Sequence, residues 1–335
     1  MNKTIYIHIG THNAGTKIIQ HFLNANRGRL MELGYDYPDV GIGEGGHQRL
    51  SAELVRQHEL SIFKKGTKVL NYEIGKFARW SKLKKHIVAS NSSKIVLSSD
   101  EFEWLSVPEA IPALLGQNDY EIVVYLRRQD VYLESLYQLF VTNNQRRMKT
   151  TIERWSERVL SRLQYHDYLR LIERWGAIFG KEKISVAVFE DELEKGLEKG
   201  FLGRIGIQSF EEGNFDTLNE DLFLAQGQML DSRCLEFLRL CNTKSFSGEK
   251  RNAILSALLN VSREFKEQGI FSKALFTQKR RREVLDSVAN SNNKLREQYL
   301  PHKAKLFPDI ESKPTEVKKA LKRVVPLFMS YYESD

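Results

Sequence analysis

Two rhythms of apolar residues alternate along this chain. Ile5–Ile9, Ile95–Leu97, Glu121–Leu126 and Ile184–Phe189 are short, nearly continuous apolar runs, the pattern of strands buried on both faces. Between them apolar residues recur every three or four positions, the helical period. Ile18, Ile19, Phe22 and Leu23 predict a helix from near Thr16. Leu50, Ala52, Leu54 and Val55 suggest a second, and the lysine-rich stretch 60–90 reads as helix. Phe102, Trp104 and Leu105 predict a helix opened by Asp100-Glu101. Leu133, Leu136, Tyr137 and Phe140 form one apolar face behind Asp130, which reads as an N-cap. Tyr168, Leu171, Ile172, Trp175 and Phe179 mark an amphipathic helix that stops at Gly180. The segment Gly41–Gly46 is too rich in glycine for regular structure and reads as a mobile loop. Strands alternating with helices predict a three-layer α/β/α fold on a parallel sheet, with ligands beyond the carboxyl ends of the strands.

From about residue 216 the strand rhythm ends and only helical spacing remains, at Leu222–Leu240, Ile254–Phe265, Arg282–Tyr299 and Val317–Tyr331. The expected organisation is an α/β core over 1–215 and a helical extension over 216–335, packing on the core and contributing to an acceptor site.

The first strand runs into Gly10-Thr11-His12-Asn13-Ala14-Gly15-Thr16-Lys17. Two glycines in a strand-to-helix loop let backbone N–H groups face an anion, and the helix N-terminus adds partial positive charge. Lys17 brings a full charge to the same place. A Walker loop would need Lys directly after the second glycine and then a hydroxyl. Here Thr16 intervenes and Ile18 stands at the hydroxyl position, so the magnesium ligand is missing. After the third run, Arg127 and Ser135 lie eight residues apart. An arginine fork and a serine hydroxyl so placed can reach one phosphate from two directions, with Arg128 as the other candidate ligand.

The formal charge of the 335 residues is +8. Such a balance suits a polyanion (a nucleotide with several phosphates, an acidic glycan or nucleic acid) without choosing among them. The run Arg280-Arg281-Arg282 after Lys279 reads as a solvated face. Trp104, Trp155 and Trp175 read as core or cleft aromatics. Cys234 and Cys241 fall in a helical pattern at a separation of roughly 10 Å, too far for a disulfide, and read as reduced packing residues. No zinc spacing appears. No signal-peptide pattern and no run of about 18 apolar residues is seen, so the expectation is a cytoplasmic protein, with peripheral membrane contact still open.

The glycine loop resembles the 5′-phosphosulfate loop of PAPS-dependent sulfotransferases, written H-I-G-x-x-K-T-G-T-T-x-x-Q. His8, Ile9, Gly10, Gly15, Thr16 and Gln20 match it. Asn13 stands where the family has its loop lysine, and Lys17 where it usually has Thr or Ser. Arg127 to Ser135 matches the family's R-x7-S motif for the 3′-phosphate. The likeness extends to Trp175 with Gly180, to Ile184–Phe189, and to Ser291-Asn292 before Tyr299. On these residues the chain is similar to bacterial PAPS-dependent sulfotransferases, which have the sheet of P-loop kinases.

The resemblance implies transfer of a sulfuryl group from PAPS to a hydroxyl or amine, leaving PAP, with no required metal. The implied acceptor is a carbohydrate or glycolipid rather than nucleic acid. Loop residues 10–17 would hold the phosphosulfate, with Lys17 replacing the charge absent at Asn13. Arg127 and Ser135 would clamp the 3′-phosphate. His47, which resembles the histidine bacterial relatives carry after a Tyr-Pro turn, is one candidate general base. Asp100, which falls on the Glu of the family's Ser-Ser-Glu, and Glu101 compete for that role. The competing readings are a P-loop nucleotide kinase and a non-catalytic protein that binds PAP or a sulfated glycan.

Overall fold

A computed structural model of the protein describes residues 2–55, 77–144, 146–162, 166–208, 215–216, 230–309 and 317–332. Its centre is a five-stranded, wholly parallel sheet: β1 (Thr4–His8), β2 (Tyr35–Asp36), β3 (Lys94–Ser98), β4 (Asp119–Leu126) and β5 (Ile184–Val188), in the order β2-β3-β1-β4-β5. β1 lies between β3 and β4, with Ile7 opposite Leu97 on one side and Ile122 on the other. The period-2 alternation of a strand then sorts the residues by face. Val96, Val123, Tyr125 and Ala187 pack with Ile18, Ile19, Phe22 and Leu23 of the helix Thr16–Ala25 and with Phe201 and Leu202 of the helix Leu197–Arg204. On the other face Tyr120 meets Phe179 at the end of the helix Tyr168–Phe179, with ring centroids 5.3 Å apart. Trp175 of that helix is fully buried beside Phe102. The sheet is therefore covered on both sides, and the fold is three-layer α/β/α.

Several local expectations are corrected. β2 spans two residues, too few to show a period, and it exists because Tyr35 and Asp36 pair with Lys94 and Ile95. Phe189 opens the helix Phe189–Lys195 instead of closing β5. Asp100 begins a 3₁₀ turn, Asp100–Trp104, in place of an α-helix. The glycine segment is pinned: Gly43 N–H donates to Gly46 O at 2.7 Å and the Tyr37 hydroxyl to Gly45 O at 2.9 Å. Gly46 lies against Gln20, where a Cβ would approach to 2.3 Å. Of the stretch 60–90, residues 60–76 lie outside the described residues, and Ala78–Ala89 is helical.

Residues group into two compact units. The first, Met1–Arg127, Tyr168–Asn219 and Ser291–Pro308, holds the whole sheet. The second, Arg128–Asp167, Glu220–Asn290 and Asp309–Asp335, holds helices and, among the described residues, no strand. Its helix Gln129–Thr142 is capped at Arg128, so Asp130 lies inside the first turn and is not the cap. Asp130 is instead gripped by Arg128 at 2.7 and 2.8 Å and by Arg281 at 2.7 Å. Arg281, expected in a solvated run, is 5 % exposed because it also pairs with Glu134. The carboxyl end of the same helix is held by Arg251, whose Nη2 donates to Val141 O and Thr142 O at 2.9 Å. That placement satisfies last-turn carbonyls with a cation. The expected helix Arg282–Tyr299 breaks at Val288, between Gln278–Ser287 and Ala289–Tyr299. The expected helix at Leu222–Leu240 is described as Ser232–Cys241, residues 221–229 lying outside the described set. Cys234 and Cys241 carry free thiols.

Candidate functional site

The carboxyl end of β1 gathers the loop residues. Gly10 has φ +97°, and a Cβ there would stand 3.2 Å from the Asp100 backbone, so the loop passes close under the end of β3. Thr11 fixes the next step: its N–H and hydroxyl both donate to Tyr125 O, at 2.8 and 3.0 Å. The Thr16 hydroxyl returns to Thr11 O at 2.9 Å. Gly15, at φ +81°, is required twice, since a Cβ would also come within 2.4 Å of Leu197.

The amides of this loop divide into used and unused. Thr11 N–H is spent on Tyr125, Ala14 N–H on Thr11 O, and His12 N–H on the Glu103 carboxylate at 3.2 Å. Among the described residues, no protein group accepts from the amides of Asn13, Gly15, Thr16 or Lys17. These are the amides around the first turn of a ten-residue helix. Helix N-termini leave such donors over, and their geometry suits an anion. Of the stretch 10–17 that the resemblance assigns to the phosphosulfate, the amides of Thr11, His12 and Ala14 are spent inside the protein.

Arg127 reaches this loop. Its Nη1 donates to Asn13 O at 2.8 Å, its Nε lies 3.9 Å from Glu190, and its guanidinium covers the Phe189 ring. The Tyr168 hydroxyl fixes its carbonyl at 2.7 Å. Lys17 is exposed and ion-paired with Glu44 at 3.1 Å. Ser135 falls in the second unit, where its hydroxyl donates to Val131 O and Tyr132 O of its own helix.

His47 is fully buried at the end of β3. Ser98 N–H donates to its Nδ1 at 3.1 Å, which leaves the proton on Nε2 to be donated to Pro38 O at 3.0 Å. Both nitrogens are thus spent inside the protein. Burial holds its pKa down to about 4, despite the bonds to Pro38 and Ser98. His8 is likewise buried and held to about 4, and its Nδ1 pairs with the Ser98 hydroxyl, which also accepts from Gln20.

What the sequence did not disclose is the setting of the His12 side chain. Its ring stacks on Trp104, with centroids 3.9 Å apart and planes 15° from parallel. Its Nδ1 bonds the Glu103 carboxylate. Its Nε2 faces Asp100 Oδ2 at 3.9 Å and Glu101 Oε1 at 3.8 Å. Burial opposes charge on this imidazole, but Glu103, Asp100 and Glu101 outweigh it and hold the pKa well above the usual histidine range. The 3₁₀ turn explains the convergence, because at three residues per turn Asp100 and Glu103 fall on one side. The density of acid in Asp100-Glu101-Phe102-Glu103 was the only available signal. Glu103 is closed off at 3 % side-chain exposure, whereas Asp100 and Glu101, at 14 % and 40 %, are open to a ligand.

Among the described residues, no group of three or more His, Cys, Asp or Glu side chains is arranged to hold a metal ion, and no helix is long and apolar enough to cross a membrane.

No protein-family model matches this chain. An uncharacterised protein of Archaeoglobus fulgidus is 26 % identical over 209 residues, covering 61 % of this chain and 53 % of that protein. The chain thus matches about half the length of that curated relative. Among solved structures, the chain is similar to bacterial sulfotransferases. The sulfotransferase from Alicyclobacillus acidocaldarius aligns with TM-score 0.42 and 12 % identity, over 73 % of this chain and 98 % of that one. The sulfotransferase domain of the Synechococcus PCC 7002 olefin synthase aligns with TM-score 0.38 and 13 % identity, over 78 % and 94 %.

Proposed function

We propose that this protein is a sulfotransferase that moves a sulfuryl group from PAPS to a hydroxyl or amine of an acceptor, with a carbohydrate or glycolipid as the expected class. The observation that carries the reading is the set of unspent amides at Asn13, Gly15, Thr16 and Lys17, with Arg127 fixed to the same loop. Such donors, oriented before reaction, stabilise charge as it develops on a leaving oxygen. The residues fit a phosphosulfate: amides and the Lys17 ammonium at one end, Arg127 for a further phosphate. When bound, PAPS would supply the sulfuryl group. The absence of a Walker hydroxyl at Ile18 agrees with a donor handled without magnesium.

Asp100 is the general base in this reading. His47 offers no nitrogen to an acceptor, while Asp100 stands at the open end of β3, close against Gly10. The acceptor oxygen forms its bond to sulfur as the bond from sulfur to the phosphate oxygen breaks. The electron pair leaves with PAP, and the hydroxyl proton passes to the Asp100 carboxylate. His47 then serves position, joining Pro38 to Ser98 under the site.

Calorimetric titration with PAP, ATP and ATP plus magnesium tests the class. PAP should bind tightly without metal. Binding of ATP that strengthens with magnesium, with no affinity for PAP, would place the protein among nucleotide kinases instead. Lys17→Ala should abolish turnover, while Lys3→Ala, which removes a side chain bonded to Ser90 O and Ser92 O, should leave it. Equal activity in both variants removes Lys17 from the mechanism.

A further inference from the structure

The imidazole of His12 has no part in the reading above, yet few side chains here are held so firmly. Trp104 fixes the plane of the ring, and Glu103 takes both its Nδ1 and the backbone N–H of the same residue. Glu103 is itself braced, since its carbonyl accepts from Arg174 Nη2 at 2.5 Å. That leaves Nε2, which faces Asp100 and Glu101. The side chain is 5 % exposed, and Nε2 lies 3.8 and 3.9 Å from two carboxylate oxygens, too far for a direct hydrogen bond. An oxygen about 2.8 Å from each partner would close the wedge.

The chemistry of the wedge selects what fills it. A doubly protonated imidazole can only donate, and an ionised carboxylate can only accept. A hydroxyl satisfies both, accepting from Nε2–H while donating to Asp100. An amine in its resting ammonium form has no lone pair and would face Nε2–H with like charge. The neutral amine has a single pair, which cannot both accept from Nε2–H and attack sulfur, as the two pairs of a hydroxyl oxygen can.

We propose that His12, clamped by Glu103 and Trp104, is the specificity-determining residue of the acceptor subsite: its Nε2–H holds the acceptor oxygen against Asp100, so that the site takes an alcohol and rejects an amine. This rests on the sulfotransferase reading, and it decides between the two acceptor classes which the loop motif leaves open. The proton route is the one given above, from hydroxyl to Asp100, with His12 keeping its own proton throughout.

The test uses the full chain with PAPS and two probe acceptors, octyl β-glucoside and octylamine, following release of PAP. The wild type should favour the glucoside by at least about tenfold in kcat/KM, the value of one well-placed hydrogen bond to a charged group. His12→Phe keeps the stack on Trp104 but loses the donor. It should lose about tenfold on the glucoside and most of the preference, with PAP affinity unchanged by calorimetry. His12→Gln, which restores an N–H, should recover part of the rate. A purely structural role would instead weaken PAP binding and leave the preference intact.

Nitrogen-15 NMR of the imidazole gives an independent reading in the unaltered protein, where His12 should be doubly protonated at pH 7 and should lose that state first in Glu103→Gln. The inference is overturned by a preference for octylamine, by PAP binding without transfer to either probe, by His12→Phe keeping both rate and preference, or by a neutral His12 at pH 7. Failure of PAP to bind at all overturns the sulfotransferase reading itself, and that result appears in the calorimetry before any acceptor is added.

Discussion

Two clusters of buried charge, one in each unit, differ in how completely their bonding is used. In the helical unit, Asp130 accepts from Arg128 and Arg281, and Glu134 accepts from Arg281 and from the amides of Leu275 and Phe276 at 2.6 Å. Each of these four residues is 8 % exposed or less. Beyond the carboxyl end of β1, His12 is spent on one side and unspent on the other, facing two carboxylates after β3 that solvent can reach. A closed network specifies packing; an open one leaves bonds for a ligand to make. In both clusters acids a few residues apart meet a base from far along the chain, and completion of the bonding is what separates the two.

The largest expected effect falls on the closed cluster. Arg281→Ala removes the cation shared by buried Asp130 and Glu134, leaving Glu134 with amide donors alone, and should cost about 3–5 kcal/mol in chemical denaturation. PAP affinity measured below the transition should stay unchanged. A smaller loss would mean that water already reaches the network.

Acid should act next, through His8 and His47 beneath the open site. Both are held to about 4 when folded, against 6.5 in the unfolded chain. The unfolded chain therefore takes up protons first as pH falls. Stability present above pH 6.5 is lost between there and about 4, by ~3 kcal/mol for each histidine. His12 works in the opposite sense. Its raised value gives stability below 6.5 that fades as pH rises through the folded value. His47→Gln should flatten the acid limb of a melting-temperature profile; an unchanged limb would remove His47 from it.

Gly15→Ala should cost about 1–3 kcal/mol through left-handed strain and overlap with Leu197. It should also weaken PAP binding, because the neighbouring amides turn with it. Intact PAP binding would detach the loop from the nucleotide.

The smallest effect on stability belongs to Lys17→Ala. Its exposed pair with Glu44 contributes less than about 0.5 kcal/mol, so any loss of turnover in that variant reports on function. A drop in melting temperature to match Gly15→Ala would contradict this.

The four short apolar runs disclosed the strands because strands buried on both faces need nearly continuous apolar sequence, and β1, β3, β4 and β5 are such strands. The strand-to-helix loop was legible because its glycines sit where left-handed backbone and close approach demand them. Less was legible where partners come from far along the chain. β2 exists through pairing alone, and the expected helix at Asp100 became a tighter turn. The glycine segment, read as mobile, is fastened by Tyr37 and Gln20. His47 was chosen for its chemistry, but a buried position took both its nitrogens.

Local preference and hydrophobic period are written into neighbouring residues, so the chain by itself determined a parallel α/β sheet with a glycine loop at its end and a helical segment beyond. The bonding state of a polar side chain depends on groups some ninety positions away, as His12 depends on Glu103. Only the tertiary structure could decide which amides are unspent, which histidine is neutral, and which imidazole keeps a nitrogen facing open carboxylates.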